Sequence, residues 1–478
     1  MRSAHRVETV RTAERTLMAQ LPDGALMQRA AAGLAAACAD TLPRRVYGSR
    51  VVLLTGSGDN GGDTLYAGAR LAKRGAGVTA VLLTPDRTHP AALKSLLRAG
   101  GTTATPAAAL IHHADLVLDG IVGIGGKGGL RPEAALLAAL VASSPATVIA
   151  VDLPSGVEPD TGEVHGAAVR ADLTVTFGTH KPGLLIDPAR EYAGSVRLID
   201  IGLASTLPAT PALESLQHAD VAALLPHPSR ESDKYRRGVV GIAAGSTRYP
   251  GAAVLAVAGA LRGGAGAVRY VGAATDAVLA RFPETLVSNT GPKKAGRVQA
   301  WVAGPGAGDD PAPVAEALST DVPVLLDADG LRLADRETVR ARPAPTLLTP
   351  HAGEAAALLG ISREEVEASR LTAVRDLARA YDATVLLKGS TTLVAAPDPD
   401  TPVRVNATGT PWLATAGSGD VLSGLAGSLL AAGLSPLDAA SVAAYVHGLA
   451  GRYAADGAPA GAHDVAEAIP AAWRDITA

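Results

Sequence analysis

Residues 51–75 read VVLLTGSGDNGGDTLYAGARLAKRG. An apolar run ends in a turn holding four glycines, and a helix-favouring segment follows. Glycine lets backbone N–H groups approach a ligand closely, and the N-terminus of the next helix adds partial positive charge. Gly56, Gly58 and Gly61 satisfy a dinucleotide-type G-x-G-x-x-G pattern. The acidic residue such a site needs about 20 positions on is misplaced at Asp86, just after Pro85. Instead Asp59, Asn60 and Asp63 crowd the turn, which suits hydroxyl and amide recognition or a cation. Taken by itself, the turn is also consistent with Asp63 acting only as a helix N-cap.

The same alternation extends outward. Candidate strands cover residues 78–83, 116–118, 147–151, 173–177 and 196–200, with helical segments at 63–74, 90–99 and 132–142. Continuous apolar strands alternating with helices predict parallel sheets covered on both faces. Residues 203–233 carry Pro208, Pro211, Pro226 and Pro228, a composition suited to a linker. A second α/β series then starts at 239–243. The expected organisation is two unlike three-layer α/β domains, 1–210 and 211–478. The first is a Rossmann-like parallel sheet.

Composition narrows the function. The chain has 478 residues, 47% of them apolar and 19% charged, enough for large cores. Forty-three basic and 46 acidic residues leave a net charge of −3, and aromatics make up 3%. Neither a basic footprint nor stacking platforms for nucleic acid are present. Cys38 is the only cysteine, so no disulfide framework or cysteine metal site can form within one chain. No apolar run long enough to span a membrane is free of charge or proline, and the N-terminus lacks a secretory pattern. The expectation is a cytoplasmic protein working on small molecules, with no membrane partner, and a homo-oligomer.

Two further segments join the first turn. Asp119 ends a strand and opens a second glycine-rich loop, GIVGIGGKGGL. VIAVDLPSG places Asp152 at another strand end, with Ser155 just beyond. Parallel strands would bring Asn60, Asp119 and Asp152 to one C-terminal sheet edge, where α/β ligands bind. Their hard oxygens suit an alkali or alkaline-earth ion. For Asp152, a turn-capping role fits equally.

In the second half, VAGPGAGDD, LLDADGL, TPHAGE and KGSTT lead to NATGTPWLATAGSGDVLSG at residues 406–424. Residues 416–419 would present consecutive backbone N–H groups at a helix start, an anion hole for a transferring phosphoryl group. Asp420, in the first turn, could take a proton from an attacking hydroxyl. No P-loop motif occurs, and His351 and Glu354 are not at zinc-protease spacing.

These motifs resemble known families. GSGDNGGD, Asp119 with its loop, VDLPSG, ADLTVTFGTHKPGL and DIGL, across about residues 5–205, resemble NAD(P)H-hydrate epimerases. Asp59 stands where that family usually has Asn. The resemblance implies K⁺ bound by Asn60, Asp119 and Ser155. It implies substrate contacts from Asp59, Asn60, Gly61, Gly62, Asp63, Gly123, Ile124, Gly125, Gly126, Lys127, Gly128 and Gly129, and proton transfer by Asp152. AGS, GPGAG, TPHAGE, KGSTT and the 406–424 motif, across about residues 225–475, resemble the ribokinase-like superfamily. Within it they resemble the ADP- or ATP-dependent NAD(P)H-hydrate dehydratases. There the resemblance implies substrate contacts from Ala253, Gly306, His351 and Asp420. It implies that Lys388, Gly389, Ser390, Thr391, Thr392 and Gly419 hold ADP or ATP, with Mg²⁺. The fused pair implies nicotinamide nucleotide repair. The alternatives are a small-molecule kinase with a ligand-sensing or inactive first domain, and a nucleotide-binding scaffold.

Overall fold

The computed structural model describes residues 1–42, 45–106 and 108–478. The chain divides into two compact units, Ser3–Ala212 and a second comprising Met1–Arg2 with Leu213–Ala478. After the short strand β1 (Arg2–Ala4), the first unit builds β2 (Arg50–Thr55), β3 (Gly77–Leu82), β4 (Thr102–Ala104), β5 (Leu116–Gly120), β6 (Thr147–Val151), β7 (Leu173–Phe177) and β8 (Ser195–Ile199). They form one parallel sheet in the order β4-β3-β2-β5-β6-β7-β8. The chain runs outward from β2 to β4, then restarts at β5 on the other side of β2. That reversal opens a crevice at the C-terminal ends of β2 and β5, where Asn60 and Asp119 stand. Cys38 is buried in this unit's core.

The glycine-rich turn differs from expectation in one respect. The helix covers Asp59–Lys73 and is capped by Gly58 at φ 101°. Asp63 therefore lies inside the helix and does not cap it.

The second unit contains β9 (Leu213–Ser215), β10 (Val239–Ala243), β11 (Ala267–Val271), β12 (Leu286–Ser288), β13 (Ala300–Ala303), β14 (Val324–Leu326), β15 (Thr346–Leu348), β16 (Thr384–Leu387), β17 (Thr392–Ala395) and β18 (Val403–Asn406). The sheet order is β1-β9-β18-β17-β16-β15-β14-β13-β10-β11-β12. β17 alone runs antiparallel to both of its neighbours. β9 and the helix His218–Leu224 fall inside the proline-rich stretch read as a linker. Leu216, Val221 and Leu225 are buried in the core there. A three-residue strand is too short to show a hydrophobic period among prolines.

Helices Pro250–Arg262, Ser418–Ala431, Pro436–Ala455 and Ala462–Thr477 contribute to one large core, with Val240, Ile242, Val302, Leu325 and Leu347 from the strands. The contacts are mostly alanine and valine. Small side chains let the helix Ser418–Ala431 touch Pro250–Arg262 along the backbone. A Cβ on Gly424 would lie 1.9 Å from the Ala256 carbonyl oxygen, and one on Gly259 2.2 Å from that of Val421. Gly424→Ala should therefore destabilise the second unit by about 1–3 kcal/mol through overpacking. In a thermal melt, that unit's Tm should fall by about 2–4 °C per kcal/mol.

Candidate active sites

In the first unit, Asp119 is fully buried at the end of β5. Its Oδ1 accepts from the Ser155 hydroxyl at 2.6 Å and its Oδ2 from the Ser155 N–H at 2.7 Å. The Val122 N–H donates to Ser155 Oγ at 2.9 Å. Burial pushes the Asp119 carboxyl up to about 6, and the hydrogen bonds from Ser155 and Ile121 resist that rise. Among the described residues, no basic side chain pairs with it. The Asn60 Nδ2 position is buried and has no acceptor. An amide oxygen placed there would have nothing to repel, since O and N of the amide are assigned from their partners. A buried carboxylate and a hydroxyl oxygen suit a cation, and exchanging the amide N and O of Asn60 would add a third oxygen donor.

Asp152 follows β6 in a left-handed conformation, φ 68°, a strained arrangement for a non-glycine residue. Its Oδ1 accepts from Lys181 Nζ at 2.5 Å, the Thr176 hydroxyl at 3.0 Å and the Phe177 N–H at 3.3 Å. Lys181, 1% exposed, also donates to Thr176 Oγ1 at 3.0 Å and to the Phe177 carbonyl at 3.1 Å. All three of its ammonium protons thus have acceptors. Lys181 carried no assigned role in the sequence reading. The available signal was one of only eight lysines in the chain, placed just beyond a strand.

Two further acids face this pair. Burial raises the Asp63 carboxyl well above its ordinary value, and the charges of Asp152, Asp59 and Glu14 add to it. Glu14, on the helix Val7–Met18, is pushed up to about 6, first by burial and also by Asp152 and Asp59, against Lys181 and Arg11. Nothing in the local sequence pattern marks Glu14. Asp59 is exposed. The loop residues Gly123, Gly126, Lys127, Gly128 and Gly129 line a small cleft with Gly156 and His165. Ile124 packs on the core, and Gly125 lies beside Arg11.

In the second unit, Asp327 follows β14, Thr349 follows β15 and Lys388 follows β16. These strands are adjacent and parallel, so their ends meet. Asp327, 1% exposed, takes Lys388 Nζ at 2.8 Å and the Thr349 hydroxyl at 3.0 Å on Oδ1. Ser423, from the helix Ser418–Ala431, donates to its Oδ2 at 2.7 Å. Glu354 Oε2 lies 3.7 Å from the same ammonium. Burial would lower the Lys388 pKa, but Asp327, Glu354 and Asp420 carry it above its ordinary value.

The turn before Ser418–Ala431 is closed by Gly417 at φ 87°, where a side chain would be strained. Among the described residues, the Gly419 and Asp420 N–H groups find no acceptor within the chain, as expected for a helix start. Asp420 is half-buried and its carboxyl is pushed up to about 7, by burial first and then by Asp327, with Lys388 opposing. A carboxyl titrating there is matched to a general base at neutral pH. Gly419 faces the lysine, since a Cβ there would lie 3.4 Å from Lys388 Nζ.

His351 caps the helix Ala352–Leu359. Its Nδ1 accepts from the Glu354 N–H at 3.1 Å, and Glu354 Oε2 accepts from the His351 N–H at 2.8 Å. His351 and Glu354 also line a cavity of about 550 Å³ with Asp329, Arg332 and Tyr381. Ala253 is fully buried beneath Gly245, and Gly306 presses on Tyr249 and Ala252. In the segment 388–392, Gly389 and Ser390 are exposed, Thr392 is half-buried and Thr391 is buried. Beneath it the buried Arg370 donates to the carbonyls of Lys388 and Thr391, both at 3.1 Å. Arg370 went unnoticed in a helix rich in arginine.

Two family models match the chain in order: YjeF-related protein N-terminus over residues 23–183, and NAD(P)H-hydrate dehydratase over residues 240–471. A bifunctional NAD(P)H-hydrate repair enzyme of Mycobacterium leprae is 50% identical over 455 residues, covering 94% of this chain and 93% of that protein. One of Corynebacterium glutamicum is 37% identical, covering 100% and 99%. Among solved structures, an ADP/ATP-dependent NAD(P)H-hydrate dehydratase of Bacillus subtilis, co-crystallised with ATP/Mg²⁺, superposes with a TM-score of 0.51 at 28% identity. It covers 55% of this chain and 99% of that one. A ribokinase-like superfamily protein of Enterococcus faecalis shares the fold at a TM-score of 0.50 and 20% identity, covering 55% and 96%. With both models matched in sequence order and relatives aligned along nearly the whole chain, this protein belongs to the family of bifunctional NAD(P)H-hydrate repair enzymes.

Proposed function

We propose that residues 1–210 epimerise hydrated NAD(P)H and that residues 211–478 dehydrate its S epimer at the expense of ADP or ATP. The observation that carries the second half is Asp420: a carboxyl poised near neutrality beside unpaired helix N–H groups and a half-buried lysine. Water added across the C5–C6 bond of the dihydronicotinamide leaves a hydroxyl on C6, next to N1. Asp420 takes that hydroxyl's proton as the terminal phosphoryl group of the nucleotide is transferred to the oxygen. The N–H groups of Gly419 and Asp420 and the Lys388 ammonium stabilise the phosphoryl charge, as positioning and electrostatics must in such reactions. The N1 lone pair then expels phosphate, and loss of a C5 proton restores NAD(P)H. Mg²⁺ bound with the nucleotide would supply charge that offsets its phosphates. His351, Gly306 and Ala253 are assigned to the nicotinamide nucleotide, and residues 388–392 with Gly419 to the adenine nucleotide.

In the first unit, K⁺ is assigned to Asn60, Asp119 and Ser155. The support is a buried carboxylate without a basic partner and an amide position without an acceptor. A monovalent cation held there by Asn60, Asp119 and Ser155 would supply positive charge opposite the buried carboxylate. Asp152, oriented by Lys181 and Thr176, takes the C6 hydroxyl proton as the C6–N1 bond opens to an aldehyde and N1 gains a proton; reclosure on the other face of the carbonyl reverses these transfers and gives the other epimer. Residues 59–63 and 123–129 hold the substrate.

Purified protein given mixed R and S NADHX, K⁺, Mg²⁺ and ADP or ATP should regenerate all the NADH absorbance at 340 nm. No recovery with either nucleotide, together with a stable phosphorylated product from another small molecule, would overturn the repair reading in favour of a kinase.

Asp420→Asn should lower the dehydration rate by about 10²–10⁴-fold. Because the base must be ionised, wild-type kcat/KM should rise with pH up to about 7 and level off above it. A flat profile across that region would remove Asp420 from the role.

Lys181→Met strands the Asp152 carboxylate without its buried partner, which costs about 3–5 kcal/mol. Urea unfolding of the first unit should shift accordingly. Recovery at 340 nm should stop after the S fraction, apart from spontaneous epimerisation. Lys181→Met/Asp152→Asn should regain most of the stability and none of the epimerase activity.

A further inference from the structure

His447 lies in the middle of the helix Pro436–Ala455, buried beneath the phosphoryl-binding turn. Its Nε2 is 3.0 Å from the Ser418 carbonyl oxygen and 3.4 Å from Ser418 Oγ. A carbonyl oxygen can only accept, so Nε2 carries the proton and donates to it. Burial pushes the imidazolium down to about 4, with the Lys388 charge contributing and the Ser418 hydrogen bond opposing. The ring is therefore neutral at neutral pH, and the tautomer is set by the bond it makes. The peptide group is planar and trans. The Ser418 carbonyl and the Gly419 N–H belong to one such plane and point in opposite directions. Fixing the oxygen fixes the line along which the N–H points.

We propose that His447 is a positioning residue for phosphoryl transfer: it holds the Ser418 carbonyl and so aims the Gly419 N–H at the transferring group. Gly419 is the position where this matters, because its N–H has no acceptor in the chain among the described residues and its Cα faces Lys388. Without the imidazole, the first peptide of Ser418–Ala431 keeps only its helical bonds and can tilt, as helix termini do. His447 touches neither substrate nor nucleotide in this assignment. The inference rests on the dehydratase reading of the second unit.

The test compares three variants of the full-length protein with the wild type in the ATP-driven conversion of S-NADHX to NADH, each followed by a thermal melt. His447→Leu removes the donor. His447→Gln carries an amide N–H at about the reach of Nε2, whereas His447→Asn carries one only at that of Nδ1. Deleting an oxyanion-hole donor outright costs about 10²–10³-fold in kcat. Misaiming one should cost about tenfold or more, with the KM values for S-NADHX and ATP little changed. The expected order of kcat is wild type, then Gln close to it, then Asn and Leu together well below.

A purely structural role would lower Tm in all three and leave kcat per folded molecule unchanged, which would overturn the proposal. Should His447→Leu fail to fold, the Gln and Asn pair decides alone: equal kcat in both overturns it. If the wild type itself shows no turnover with either ATP or ADP, the dehydratase reading has failed, and with it the premise of this inference.

Discussion

Both sites depend on a buried carboxylate held by a lysine at the C-terminal edge of a parallel sheet. Asp152 follows β6 and meets Lys181 beyond β7. Asp327 follows β14 and meets Lys388 beyond β16. A lone charge at either position would be too costly to bury, and each pair is made tolerable by further bonds from threonine or serine hydroxyls. Parallel strands deliver these partners for a geometric reason: every strand ends on the same edge, so residues far apart in the chain are neighbours there. Asp119 is the exception that defines the first site. It is equally buried, but its partners are the hydroxyl and amide of Ser155 and the Ile121 N–H, and among the described residues no lysine reaches it.

The pairs also divide the chemistry between acids. In the second unit Asp327 spends both oxygens on Lys388, Thr349 and Ser423, and its charge helps push the nearby Asp420 up to about 7. One carboxylate is thus structural and the other is left able to exchange a proton. In the first unit Lys181 is committed to Asp152, while Asp63 and Glu14 are driven towards their neutral forms. Separating neighbouring acids in this way is how a site holds both a proton donor and an acceptor at one pH.

The alanine- and glycine-rich composition acts at the same places. Close backbone contact between Ser418–Ala431 and Pro250–Arg262 exists because Gly424 and Gly259 lack a side chain. That contact seats the helix whose first turn carries Asp420. Bulky side chains would hold the helices apart and move the turn away from Lys388.

The sequence by itself determined the two α/β series, the parallel sheets and the glycine turns, because hydrophobic period and glycine placement are local signals. Asp119, Asp152 and Asp420 were legible for the same reason: each directly ends a strand or opens a helix. Tertiary structure alone decided the rest. Lys181 reaches Asp152 across 29 positions, Glu14 meets Asp152 across about 140, Arg370 reaches its carbonyls across 17–21 and His447 reaches Ser418 across 29, and no spacing rule links these partners. The strand β9 was hidden among prolines because three residues cannot declare a period. Asp63 looked like a cap, but Gly58 begins the helix earlier and carries Asp63 into a buried, charge-crowded turn. Local patterns name which residues reach an edge, whereas burial and cross-strand proximity determine which of them hold a proton.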